Sequence, residues 1–450
     1  MNHLLAKFTN IEKHEVPTVI ASGLFFFCIL TALMVLRPAR EALGMESGLD
    51  TVRWLFVGTA VVTLAVNPVF GLLVSRFRRL TFVAATYLFF AATLFIFYLL
   101  LTLAPDRTGQ VSGRVFYVWY SVFNLFNTMV FWATMVDRHS LEQSKRLFGT
   151  VAVGGTLGAI FGPWLASLLA QPFGTANLIL VSIGFLILAV AAARSVFHFT
   201  QNHSPVSPRQ DPPNQDGVIG GSPWAGLKAA IRSPYLLGIS GYVLILAVVS
   251  TFLYFTRLAM VAEMGDDTDL RTTLFARIDM ITQASTLVLQ LIVTGHLMKR
   301  VGVPITLALL PITVALGMAG LAIAGSLAVL IVFEAVFRAV QRAIMRPARE
   351  TLFTVVSSED KYKSKAFIDT FVYRGGDVLG AWTEGLIGRL GMGLMALATL
   401  TIPLAVLWAG LGIWLGLKQR NFALAGEHSA AEGGPEHKPG DAAEAVPVTS

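Results

Sequence analysis

Long apolar stretches separated by short polar turns recur along the whole chain, and this pattern predicts helices that cross a membrane. A crossing needs about 20 residues, and twelve such spans can be drawn: residues 16–43, 52–75, 80–104, 114–137, 147–170, 174–195, 234–258, 272–298, 303–325, 327–347, 366–388 and 392–417. Lipid offers the backbone no hydrogen-bond partner, so the spans must be helices. Their Leu, Ala, Val, Gly and Phe runs lack the short alternation of an outer-membrane barrel.

The pattern repeats. Gly71-Leu-Leu73-Val-Ser-Arg76-Phe-Arg78-Arg79 closes span 2, and Gly295-His-Leu297-Met-Lys299-Arg300-Val-Gly302 closes span 8. A shift of 220 residues lays Thr31 on Thr251 and Arg37 on Arg257, and one residue more lays Gly154-Gly155 on Gly375-Gly376. The expected fold is therefore an all-α membrane protein of twelve transmembrane helices in two six-helix bundles related by a pseudo-twofold axis. The first bundle covers 1–200, a cytoplasmic linker rich in Pro, Asn, Asp, Gly and Ser covers 201–233, the second bundle covers 234–420, and 421–450 is expected to be a disordered cytoplasmic tail. Residues 1–16 are too polar for a secretory signal peptide, so span 1 should be retained as a helix.

Composition agrees: 55% of the 450 residues are hydrophobic and 14% charged, with a mean hydropathy of +0.67. The net charge of +7 would suggest nucleic acid, but its distribution explains it otherwise. Lys7, Lys13, Arg76, Arg78, Arg79, Arg138, Lys145, Arg146, Lys299, Arg300, Lys361, Lys363, Lys365, Lys418 and Arg420 all fall on one side of the twelve-span drawing, and the opposite loops hold little beyond Arg53, Arg107, Arg114, Arg271 and Arg389. The positive-inside rule then places both termini in the cytoplasm, and the expected location is a bacterial inner membrane. The one cysteine, Cys28, rules out an intrachain disulfide.

A charge inside a span costs roughly 2.5–3.5 kcal/mol on insertion scales and needs a partner or a cavity. Span 1 carries Arg37-Pro38-Ala39-Arg40-Glu41, and span 10 carries Glu334, Arg338, Arg342 and then the same pentapeptide, Arg346-Pro347-Ala348-Arg349-Glu350. Span 4 ends in Asp137, span 7 holds Arg257, span 8 opens with Arg277 and Asp279, and span 11 holds Asp369, Arg374, Asp377 and Glu384. Spans 1, 4, 7, 8, 10 and 11 are therefore the expected walls of a central cavity. The candidate substrate-binding residues are Arg37, Arg40, Arg257, Arg338, Arg342 and Arg374; the candidate coupling or gating residues are Glu41, Asp137, Asp279, Glu334, Asp369 and Asp377. Gly154, Gly158 and Gly162, four apart, read as helix-packing contacts. Tyr117, Trp119, Tyr120, Trp132 and Tyr254 read as packing or interface aromatics.

The basic turns resemble the loop signature of the major facilitator superfamily, with Ser75 and Lys299 at the acidic position and Arg78 where glycine is usual. Phe131-Trp132, Asp137, Glu142, Lys145-Arg146 and Phe148-Gly149 resemble the helix 4 region of the bacterial and plastid ATP/ADP translocases. Lys365-Ala366-Phe367-Ile368-Asp369 with Arg374 and Gly375 resembles that family's helix 11, and Leu36-Arg37-Pro38-Ala39-Arg40-Glu41 is similar to its helix 1 segment. The resemblance implies a major facilitator fold and nucleotide exchange, and it places Arg40 and Asp137 among the functional charges. The chain departs from that family in helix 7, where Ser250-Thr251-Phe252-Leu253-Tyr254 lacks the expected glutamate, and in helix 11, where Gly375-Gly376-Asp377 lacks the expected lysine.

The expected function is secondary active transport of a phosphorylated organic anion, a nucleotide first, by alternating access. Forked arginines suit phosphate oxygens. Organophosphate:phosphate exchange, which the pairing of Arg37 in span 1 with Arg257 in span 7 resembles, is the alternative, as is proton-coupled anion uptake; a non-transporting sensor or assembly factor is a third reading. There is no phosphate-binding glycine loop, no His-Glu-x2-His, no Gly-x-Ser-x-Gly and no metal-ligand histidine spacing. No enzyme activity, cofactor, metal or nucleic-acid partner is expected; the partners are a small anion and the bilayer, and the oligomeric state stays open.

Overall fold

The computed structural model describes residues 12, 14–74, 79–103, 105–201, 231–356, 364–365 and 367–432, without the side chains of 67–80, 105–108, 141, 145, 201, 291–300 and 425–432. Lys7, Lys13, Lys361 and Lys363, the side chains of both basic turns, Arg107 and Lys145, most of the 201–233 linker and the tail from 433 lie outside the described residues.

Every predicted span is met by a helix. In the first half these are α1 (Val16–Met45), α2 (Leu49–Val74), α3 (Arg79–Leu103), α4 (Pro105–Arg138), α5 (Leu141–Phe173) and α6 (Asn177–Gln201). In the second half α7 (Pro234–Ala262) is followed by a run, Thr268–Ala324, that breaks at Gly302 into α8 (268–301) and α9 (303–324). Gly302 has φ 75°, which glycine adopts freely, and Pro304 then starts the next helix. α10 comprises Leu327–Val340, a π turn at Gln341–Met345 and Arg346–Thr351; α11 comprises a π turn at Ile368–Val372 and Tyr373–Arg389; α12 is Leu394–Glu432. The π turn of α10 lies just before Pro347, whose ring cannot continue regular α geometry against the preceding turn. The tail expected to be disordered from 421 is instead helical as far as Glu432, where α12 continues past its apolar span.

Among the described residues, eight helices are apolar and long enough to cross a membrane by length and hydropathy alone. The other four are α4, α8, α10 and α11; π turns cut the regular α segments of α10 and α11 to 14 and 17 residues, and all four are among the expected cavity walls.

Each half has its own apolar core. Phe25, Tyr87, Phe123 and Phe131 centre the first; Tyr242, Phe252, Phe337 and Trp408 centre the second. A third cluster joins the halves, setting Ala42, Val52 and Tyr117 against Tyr254, Phe255 and Leu258. The duplication is visible in the packing itself. A Cβ on Gly155 would lie 2.3 Å from the Phe26 ring and one on Gly158 would lie 2.4 Å from Phe27 O; on Gly376 it would lie 2.6 Å from Ala247 Cβ, and on Gly380 2.9 Å from Val248 O. The same glycine seam thus holds α5 on α1 and α11 on α7, with partners again about 221 residues apart.

Candidate functional site

α1 and α7 run the same way, so their last turns meet at one end of the molecule, here termed the distal end. The charges of α1, α7, α8 and α10 assemble just inside it. Arg257 is the hub, with no exposed surface at all. Its Nη1 donates to Glu334 Oε1 at 3.2 Å and to Asp279 Oδ1 at 3.4 Å, and its Nη2 stands 3.9 Å from Glu41 Oε1. A guanidinium without a counter-charge would be prohibitive at this depth, and carboxylates from three helices remove that cost. One of them, Glu41, comes from the other half.

The remaining arginines surround this hub. Arg37 Nε lies 3.5 Å from Asp279 Oδ2, which ties α1 to α8. Arg40 donates from Nη1 to Glu41 Oε1 at 2.8 Å and from Nε to Tyr117 O at 3.2 Å, and its guanidinium sits 3.6 Å from the centre of the Tyr117 ring. The Tyr117 and Tyr254 hydroxyls are 2.8 Å apart, and Tyr254 donates to Glu41 Oε2. On α10, Arg338 Nη2 donates to Glu334 Oε1 at 3.4 Å, one turn away. Arg342, inside the π turn, donates to Gln283 on α8.

The cluster carries more positive than negative charge. Among the described residues, the ion pairs of Arg37, Arg40, Arg257 and Arg338 are to Glu41, Asp279 and Glu334, and Arg342 bonds the neutral Gln283; Asp377, near Arg338, is already paired with Arg374. Among the described residues, the buried Nε and Nη2 of Arg257 and the Nε of Arg338 have no hydrogen-bond partner. Arg37 and Arg338 keep 18% of their side-chain surface exposed, whereas Arg257 is sealed. The arrangement can therefore offer guanidinium donors to an anion while a buried ion hub holds the helices together.

The same end is clamped by polar contacts between the halves. Arg53 Nη2 bonds Glu384 Oε2 at 2.7 Å, Thr175 N donates to Asp269 Oδ1 at 2.6 Å, and Thr268 Oγ1 donates to Glu46 Oε1 at 2.8 Å. Trp54 and Trp382 meet edge to face at 5.1 Å. At the opposite end the ion pairs among the described residues stay within one half: Arg146 with Glu15 at 2.7 Å, Arg349 with Asp369 at 3.0 Å, and Lys365 with Glu350.

Of the candidates, the structure brings together Arg37, Arg40, Glu41, Arg257, Asp279, Glu334, Arg338 and Arg342. Four stand apart. Asp137 lies twenty positions beyond Tyr117 on α4, about 30 Å along the helix. Asp369 pairs with Arg349 at the other end, and Arg374 pairs at 3.1 Å with Asp377, which accepts from Thr251 at 3.4 Å. The two Arg-Pro-Ala-Arg-Glu copies separate because α1 and α10 run in opposite directions; only the first reaches the cluster. Arg257, expected to face substrate with Arg37, is instead enclosed by carboxylates. Tyr117, Tyr254, Gln283 and Arg53 are part of the site or its clamp, yet sequence reasoning treated the tyrosines as packing and Arg53 as an outer loop residue. The three-residue step from Tyr254 to Arg257, which keeps both on one helical face, was the available signal. Glu12, His14 and Glu15 come within 4.8 Å of one another, but Arg146 already engages Glu12 and Glu15.

Residues 18–341 match the Major Facilitator Superfamily. No curated protein matches the chain. Among solved structures, that of the nucleoside transporter NupG is similar over 91% of this chain and 100% of its own, with a TM-score of 0.55 and 15% identity. That of a bacterial homolog of the human lysosomal transporter Spinster, inward-facing and unoccupied, covers 91% of this chain and 99% of its own, with a TM-score of 0.58 and 12% identity.

Proposed function

Since the chain belongs to the Major Facilitator Superfamily, we propose that it is a secondary transporter whose cargo is a phosphorylated organic anion, with a nucleotide as the first candidate and exchange as its mode. The observation that carries this reading is the surplus of arginine over carboxylate in one cluster between the halves. A neutral cargo would leave that surplus uncompensated in a low-dielectric site; an anionic phosphate compensates it.

In this account Arg37, Arg338 and Arg342, all partly exposed, take the phosphate oxygens through forked, charge-assisted hydrogen bonds, while Arg40 stays on Tyr117 and Glu41. Arg257 stays in the hub, and cargo acts on it indirectly. As phosphate takes over Arg37 and Arg338, Asp279 and Glu334 lose their second cation and bind Arg257 more strongly, which loosens its attraction to Glu41 across the halves. Glu41 and Tyr254 can then part and the distal end can open. Without cargo the latch holds, which is the behaviour of an exchanger. With both termini in the cytoplasm, as the positive-inside rule suggests, the distal end is the outer face and the basic end is the inner one.

Organophosphate:phosphate exchange is a second reading, supported by the placement of Arg37 on α1 and Arg257 on α7. Proteoliposomes loaded with ADP, with phosphate or with neither separate the two. Nucleotide exchange gives labelled ATP uptake that ADP loading stimulates and Arg342→Ala abolishes; stimulation of sugar-phosphate uptake by phosphate alone favours the second reading. Uptake of neutral nucleoside that is indifferent to Arg342→Ala overturns both.

A further inference from the structure

A groove of about 890 Å³ opens in the first half, lined by none of the clustered arginines. α2 and α3 each pack on α4 but scarcely on one another, so they part over it. Leu55 and Val62 form one wall, Phe82 and Phe89 the other, and Val118 and Phe126 the floor. Val115 and Phe89 are more than half exposed there, as expected of a face turned to lipid.

Among the described residues, Arg114 is the one charged residue that lines this groove, and no carboxylate does. Arg114 stands level with the turn between α1 and α2, where its Nε donates to Ser47 Oγ at 2.9 Å. Its two terminal nitrogens make no hydrogen bond among the described residues. Along α4 the groove extends from Arg114 to Phe126, about 18 Å at helical rise. One leaflet of hydrocarbon is about 15 Å deep. A groove one leaflet long, apolar along its length and ending in a guanidinium at a helix-connecting turn, matches an amphiphile with an anionic head at the bilayer boundary and a chain in its interior.

We infer that this groove is a phospholipid site, with one acyl chain lying between α2 and α3 over Val118 and the phosphate held by the Arg114 fork. The seat backs onto Tyr117, the neighbour of Val118 and part of the distal latch. A chain lodged there props the wall that carries the latch tyrosine.

The test is native mass spectrometry of the full chain in mild detergent, supplied in separate arms with phosphatidylglycerol, diacylglycerol or palmitate. The wild type is expected to keep one phosphatidylglycerol per chain. Arg114→Gln should lower its retention about tenfold, equivalent to about 1.4 kcal/mol, and Val115→Trp, which fills the groove from an exposed position while leaving Arg114 intact, should do the same. Val153→Trp, exposed on α5 outside the groove, should retain lipid as wild type and controls for the added indole. Equal retention of diacylglycerol or palmitate, or undiminished phosphatidylglycerol on folded Arg114→Gln or Val115→Trp protein, overturns the assignment.

Discussion

Tyr117 and Tyr254 touch hydroxyl to hydroxyl at 2.8 Å across the boundary between the halves, and Tyr254 passes its proton's hydrogen bond on to Glu41. This relay connects α4, α7 and α1 at one point. It also brings a buried carboxylate within reach of both Arg40 and Arg257.

Tyr254→Phe removes the relay while keeping the ring. The lost bonds, one to a charged group, amount to about 1.5–3 kcal/mol, enough to shift a two-state closure by tenfold or more. Spin labels at Val111 and Met264, both exposed near the distal end, on a Cys28→Ala background should report a longer, broader distance distribution than in the parent. An unchanged distribution removes the tyrosine relay from the closure.

Arg257→Ala should cost about 3–5 kcal/mol of stability, because it strands Asp279 and Glu334 without their shared cation in a buried site. Thermal unfolding in detergent measures this. The double variant Arg257→Ala with Glu334→Gln should recover part of the loss, since one stranded charge is then gone.

The glycine seams should be intolerant of bulk in both halves alike. Gly158→Val forces a side chain against Phe27 O, and Gly380→Val does so against Val248 O. Each should cost about 1–3 kcal/mol or more by overpacking, read as a lower unfolding temperature.

His139, just past α4, gives a pH signature. Burial lowers its pKa, partly opposed by its bond to the Met135 carbonyl and by Glu15. Below about pH 6.5 the unfolded chain gains a proton that the folded chain resists, so stability falls as the pH drops through that region and the contribution disappears above it. The slope of unfolding temperature against pH should be shallower in His139→Gln.

The architecture was legible because hydropathy and duplication are properties of long segments. Twelve spans and the Gly154/Gly375 correspondence survive errors of several residues at each boundary. The site was legible in part. Charge inside apolar spans marked Arg37, Glu41, Arg257, Asp279 and Glu334, since each requires a partner there. Depth along a helix was harder: Asp137 and Asp369 share the composition of the cluster, but direction of travel carries them to the other end. Arg53 was misread for the same reason, because a residue near a turn and one reaching across to Glu384 look alike until the partner helix is placed. Helix α12 outran its apolar span because Ala, Leu and Glu between 421 and 432 favour helix even where nothing apolar is buried.

The central claim is that the arginine cluster is built for a charged cargo. Isothermal titration of the purified chain with ADP and with adenosine tests it most directly, repeated on Arg342→Ala. The account predicts that ADP binds, that adenosine does not, and that Arg342→Ala weakens ADP about tenfold to a hundredfold, the worth of one or two charge-assisted hydrogen bonds. Adenosine binding as tightly as ADP, with Arg342→Ala indistinguishable from wild type, would contradict it.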